Sequence, residues 1–161
     1  MNEPFRKRVD KQIGNHMDKN ADWGLLLGRI CLIALYGVSA AGKFGTLNET
    51  AAILASKGFL LAMPLTIFVA TAELMGAVGI ALGFYTRRVA IGLIIYTIAA
   101  TVTFHNFWML EGAARQGQLI HFLKNVGLLG AFAILASVGP GAFSLDGMMR
   151  KSDRSSASAP A

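Results

Sequence analysis

A chain of 161 residues that is 54% hydrophobic and only 15% charged is more apolar than an ordinary soluble domain, in which about a quarter of the residues are charged. Its single cysteine, Cys31, excludes an internal disulfide, a dithiol redox cycle within the chain, and a Cys-rich zinc or iron–sulfur site. The net charge of +6 comes from basic residues at the ends of apolar runs, where anionic lipid and membrane topology account for them and no nucleic-acid partner is needed.

Residues 1–22 form a basic arm with Arg6, Lys7, Arg8, Lys11 and Lys19. It lacks the apolar core of a conventional signal peptide, so the first apolar run is expected to serve as insertion signal and retained anchor. Phe5, Val9 and Ile13 recur at helical spacing, which leaves two readings of the arm, a short surface helix or a flexible tail. The first span is predicted from Trp23 to about Gly42, with Asp22 as its cap and Trp23 as an interfacial anchor. Arg29, Tyr36, Ala40 and Lys43 fall close to one helical face. That face must look at protein or water, because lipid cannot solvate Arg29.

Residues 43–57 read as a loop containing a short helix at 51–55. The apolar run 59–84 is long enough to cross a bilayer and carries one acid, Glu73, near its middle. A carboxylate there must be protonated, hydrated or paired. Pro64 falls in the first turns of this span, where it begins the regular helix or kinks it. Thr66 and Glu73 share a face. Gly76, Gly79 and Gly83 leave room for close helix contact, either as a packing seam or by coincidence in a Gly-rich chain.

The turn 85–88, with Arg87 and Arg88, is so short that the second and third spans must be antiparallel neighbours. The third span covers 89–104 and ends at a polar and aromatic boundary, Thr101, His105, Asn106, Phe107 and Trp108. A loop at 110–117 precedes the fourth span, 118–138, which lines up His121, Lys124, Asn125 and Leu128 on one side. Gly139, Pro140 and Gly141 end it. Residues 143–146 read as a short interfacial turn or helix, with Asp146 able to pair with Arg87 or Arg88. Arg150, Lys151 and Arg154 make a basic tail, and 155–161 reads as disordered.

The predicted fold class is therefore all-α, a four-transmembrane-helix antiparallel bundle. The arm, the Arg87 turn and the tail lie on one side and are basic, so both termini are expected in the cytoplasm. Residues 1–22 form the arm, 23–149 the membrane domain and 150–161 the tail.

The chemistry-bearing residues fall in one polar core: Lys43, His105, His121 and Lys124 in the outer half, Glu73 below them, and Arg29 deeper. Glu73 is expected to pair with Lys124 or Arg29. Glu73, His105, His121 and Lys124 are the candidate catalytic groups, because the acid and the histidines exchange protons and a lysine stabilises a developing oxyanion. Arg29, Tyr36, Lys43, Phe104, Trp108 and Asn125 are the candidate ligand contacts, with the aromatics suited to a flat ring. The other reading is a buried ion-pair network that fixes the bundle. The histidines show no metal-ligand spacing and no third ligand, so no metal is assigned. Cys31 reads as an apolar packing residue.

Together, Gly28-Arg29, Gly42-Lys43-Phe44, Glu73, His105-Asn106-Phe107-Trp108, His121-Phe122-Leu123-Lys124-Asn125 and Gly139-Pro140-Gly141 leading to Phe143-Ser144-Leu145-Asp146 resemble the DoxX family, which includes DoxD-like proteins. The resemblance spans roughly residues 23–149. It implies a bacterial inner-membrane, multi-pass bundle, with relatives linked to thiosulfate and quinone oxidoreduction or to quinone detoxification and oxidative-stress complexes. It carries over Arg29, Glu73, His105, His121, Lys124 and Asn125 as polar-core positions, without a role for each. The expected function is a quinone-linked redox component or accessory subunit, with quinone as the candidate cofactor and lipid, a redox-complex protein or a second copy as partners. The alternatives are a noncatalytic scaffold of a redox complex and a carrier of a small hydrophobic metabolite. The residues do not decide whether the chain is itself an enzyme.

Overall fold

A computed structural model describes the backbone of residues 3–157, and side chains over 19–153 and at Ser156. The described chain is helical throughout: α1 (Glu3–Gly45), α2 (Leu47–Ser56), α3 (Ala62–Leu82), α4 (Thr86–Phe104), a 3-10 turn (Phe107–Met109), α5 (Gly112–Val138) and α6 (Leu145–Ala157). Four helical stretches among the described residues are long and apolar enough to cross a membrane: Lys19–Gly45, Ala62–Leu82, Thr86–Met109 and Gly112–Val138. Only 17–33% of each apolar window is buried inside the chain. The remaining apolar surface, including Ile30, Phe68, Ile95 and Ile134, must therefore meet lipid, as in a membrane bundle.

α1 packs on α3, α3 on α4 and α4 on α5, while α2 folds back over α3. The centre is a cluster of Tyr36, Ala77, Ile80, Ala90, Leu93, Leu128, Phe132 and Leu135. The glycine face of α3 is a real packing seam. A Cβ at Gly76 would meet Leu93 Cδ2 at 2.7 Å, and one at Gly79 would meet Val89 Cγ2 at 3.1 Å. Gly83 plays a different part, as the left-handed C-cap of α3 at φ 65°, with Ser144 and Arg29 filling the space a side chain would need.

Several boundaries differ from the predicted ones. The arm is part of α1, which begins at Glu3: the stretch is rich in good helix formers, and Pro4 sits in the first turn, where its missing N–H costs nothing. Asp22 is therefore inside a helix and caps nothing; its Oδ1 accepts the Ala142 N–H at 2.7 Å. α5 starts at Gly112, so the predicted loop 110–117 is largely helix, and Lys124 lies deeper than expected. Helix α6 continues through Ala157; the predicted disorder at 155–161 does not hold for 155–157, and 158–161 lie outside the described residues.

One end of the bundle is stitched by residue-specific bonds. Arg29 is 1% exposed; its Nη1 donates to Ala81 O at 3.1 Å and its Nη2 to Phe143 O. Trp23 packs on Phe143 with ring centroids 4.7 Å apart. Asp146 does not pair with Arg87 or Arg88. Its two carboxylate oxygens accept the Tyr85 and Thr86 N–H groups, each at 2.9 Å, which caps α4 and holds Tyr85 at φ 46°. These bonds place the early part of α1, the α3–α4 turn and the start of α6 at the same end.

Candidate functional site

Away from that end, four helices converge on a cavity of about 110 Å³ lined by residues that include Tyr36, Lys43, Glu73, Tyr96, His105 and Lys124. Glu73 is eleven residues from the start of α3 at Ala62, about 16 Å along the helix, and Lys124 is twelve residues from the start of α5 at Gly112, about 18 Å. Each lies near the middle of its span.

Glu73 is 2% exposed. Its Oε2 accepts hydrogen bonds from Lys43 Nζ at 2.5 Å and from Tyr96 Oη at 2.8 Å. Lys43 is in the last turn of α1, yet it reaches mid-span because helical side chains tilt toward the N-terminus. Its Nζ accordingly also donates to Ser39 Oγ, one turn deeper, at 3.0 Å. The expected pairing of Glu73 with Lys124 or Arg29 is thus incorrect. Arg29 is held at the far end of α3 by the carbonyls of Ala81 and Phe143, about 12 Å along the helix from Glu73 at the level of Ala81.

The floor of the cavity is a chain of satisfied hydroxyls and amides, as a lipid-embedded backbone requires. Tyr36 bonds Thr97, Thr97 donates to Leu93 O and Thr101 to Thr97 O, both at 2.6 Å, and Asn125 Nδ2 donates to Thr101 Oγ1 at 2.9 Å. Tyr36 also meets Phe132 edge-on, centroids 5.3 Å apart. At the opposite end His105 shares a hydrogen bond with Gln118 at 2.8 Å and stacks on His121, centroids 5.2 Å apart.

Of the predicted positions, Tyr36, Lys43, Glu73, His105, Lys124 and Asn125 line one cavity, and His121 joins it through His105. Arg29 does not reach it. Phe104 and Trp108 are also outside the lining; Trp108 is 54% exposed and contacts Phe107 and Phe122. Tyr96 was missed, although a tyrosine followed by Thr97 in the middle of an apolar span is itself a sign of a polar interior. Ser39, Thr97 and Gln118 were missed with it. Among the described residues no three His, Cys, Asp or Glu side chains converge. Lys124 makes no hydrogen bond or ion pair with the other described residues.

The fold and the cavity define a class: a four-span helical membrane protein whose polar residues meet in a mid-membrane pocket. The DoxX family profile matches residues 24–106, and the chain belongs to the DoxX family. It is 37% identical over 122 residues to the inner membrane protein YphA of Escherichia coli strain K12, which covers 76% of this chain and 87% of that one. It is 31% identical over 138 residues to the inner membrane protein YqjF of the same organism, covering 84% and 98%. No solved structure matches at a significant level. With four candidate spans, the chain is a multi-pass inner-membrane protein in contact with lipid.

Proposed function

We propose that the mid-membrane pocket receives the head of a quinone-type molecule and that the chain is a quinone-linked redox component or accessory subunit of an inner-membrane complex. The observation that carries this reading is an imbalance of charge. Lys43 and Glu73 neutralise one another at 2.5 Å, while Lys124 faces the same cavity without an acid. A lone charge at mid-bilayer costs roughly 2.5–3.5 kcal/mol on insertion scales, so the pocket is suited to an oxygen that carries or develops negative charge.

A bound quinone would supply two-electron, two-proton chemistry, exchanging its electrons with a redox protein of the complex. The chain's own residues fit the proton side of it. Lys124 donates to a ligand oxygen and stabilises charge developing there. Glu73 accepts hydrogen bonds from Lys43 and Tyr96 and stands at the cavity wall, within reach of a ligand for proton exchange. His105 and His121 extend from the cavity toward the opposite face from Arg29, where a proton enters or leaves. Cys31 cannot cycle a dithiol alone, so sulfur chemistry belongs to a partner protein.

We place both termini in the cytoplasm, because Arg87, Arg88, Arg150 and Lys151 gather at the end where α1 enters the bundle. A noncatalytic scaffold is the second reading, favoured by the internal pairing of Glu73, which is what a structural network needs. Purification in native lipid particles followed by mass spectrometry separates the two. A stoichiometric quinone that is lost from folded Glu73→Gln and Lys124→Ala variants supports the pocket. A protein partner retained in all variants, with no small molecule in any, supports the scaffold.

A further inference from the structure

The cavity wall is closed over most of its extent, including Tyr36 of α1 and Asn125 and Leu128 of α5, and is open along one edge. On α3 and α4, Glu73 and Thr97 are each 2% exposed, and Tyr96 and Ala100 are half-buried. On α1 and α5, Leu35 is 39% exposed, and Ser39 and Lys124 are exposed. The helix backbones follow the same division. α1 packs on α3, α3 on α4 and α4 on α5, whereas α1 and α5 meet through the rings of Tyr36 and Phe132, on the Arg29 side of the cavity.

The opening lies at lipid depth. Lys124 is about 18 Å from the start of α5, and Leu35, ten residues from the end of α1 at Gly45, is about 15 Å from it. Since the hydrocarbon layer is about 30 Å thick, a gap at this level faces acyl chains and not bulk water. The cavity is also small. At about 110 Å³ it falls below the roughly 300–1,000 Å³ of sites that enclose a whole ligand, and near the ~150 Å³ of a cavity that takes a benzene ring. Whatever binds must leave the rest of itself outside.

We infer that the gap between α1 and α5 is a lateral doorway, and that the ligand is an amphiphile whose compact oxygen-bearing head sits against Lys124 while its single hydrocarbon chain leaves past Leu35 into the bilayer. This rests on the ring-head reading above and adds to it the route and the shape of the ligand. The Lys124 ammonium turns inward, because the lipid on its other side cannot solvate it.

The test uses the full chain in vesicles of phosphatidylcholine and phosphatidylglycerol, with a photoreactive benzophenone side chain installed at Leu35, which lines the opening, or at the exposed Ile120, one turn before Lys124 on α5. Ile67 and Ile95, on the exposed faces of α3 and α4, serve as controls. The probe is a fully substituted benzoquinone carrying a decyl chain, and its equilibrium binding is measured in the same samples. The expected result is cross-linking at Leu35 and Ile120 at least about tenfold above the controls, competed by unlabelled probe. Saturable binding with cross-links at Ile67 or Ile95 equal to those at Leu35 overturns the doorway and leaves the ring-head reading standing. Cross-links from Leu35 to a second copy of the chain, in place of the probe, also overturn the doorway. Absence of saturable binding overturns both.

Discussion

Lys43, at the end of α1, reaches back one turn to place its ammonium 2.5 Å from the Glu73 carboxylate in the middle of α3. Tyr96 completes the set from α4. Three helices are tied at one oxygen, Glu73 Oε2, and Lys124 on the fourth helix is left for something else.

Replacing Lys43 with Met strands a buried carboxylate at mid-span. The variant should lose roughly 2.5 kcal/mol, the insertion-scale cost of a lone charge, measured by thermal unfolding in lipid particles. Adding Glu73→Gln to it should recover most of the loss, since removing both charges removes the penalty. Equal and additive losses in the double variant would mean that the two side chains are not coupled.

Arg29 binds carbonyls and no acid, so it acts as a structural clamp at the far end of α3. Arg29→Ala should cost roughly 1.5–3 kcal/mol for a charge-assisted hydrogen bond to a buried carbonyl. Arg29→Lys should recover little, because an ammonium cannot span the separate carbonyls of Ala81 and Phe143 as a guanidinium fork does. Ligand affinity of the folded fraction should stay unchanged in both variants, which equilibrium binding checks.

Asp146 caps α4 across sixty residues of sequence. Asp146→Ala should cost about 1 kcal/mol, the usual value of an N-cap, and speed amide hydrogen exchange at Tyr85 and Thr86. Tyr85→Gly should offset part of that loss, since glycine adopts φ 46° without the steric cost of a side chain.

Gly76 faces Leu93 so closely that Gly76→Ala should loosen the α3–α4 contact by about 1–3 kcal/mol, the usual cost of overpacking. Shortening the neighbour with Leu93→Val in the same chain should return much of it, read as the melting temperature of each variant.

The spans are legible in the sequence because an apolar run of such length has few structures open to it in lipid. The buried face of α1 is legible for a related reason: Arg29, Tyr36 and Lys43 are too polar for the opposite side. Which base meets Glu73 is not legible, since that depends on how far a side chain tilts and on where α5 begins. Its start at Gly112 moved Lys124 deeper than the predicted loop allowed. The role of Asp146 is equally hidden, because its partners are backbone N–H groups of a turn sixty residues away, and any residue there offers the same donors. Tyr96, by contrast, is a signal the sequence does carry. A phenol in mid-span needs an acceptor, and Glu73 was the acid at that depth.

The most direct measurement is an equilibrium titration of a decyl-bearing, fully substituted benzoquinone into the purified chain in lipid particles, alongside Lys124→Met with its helical content and melting temperature verified. Saturable binding that weakens by about tenfold or more in the variant, roughly 1.4 kcal/mol, is the predicted result. Binding unchanged by Lys124→Met, or no saturable binding to either protein, would contradict a quinone-type head in this pocket.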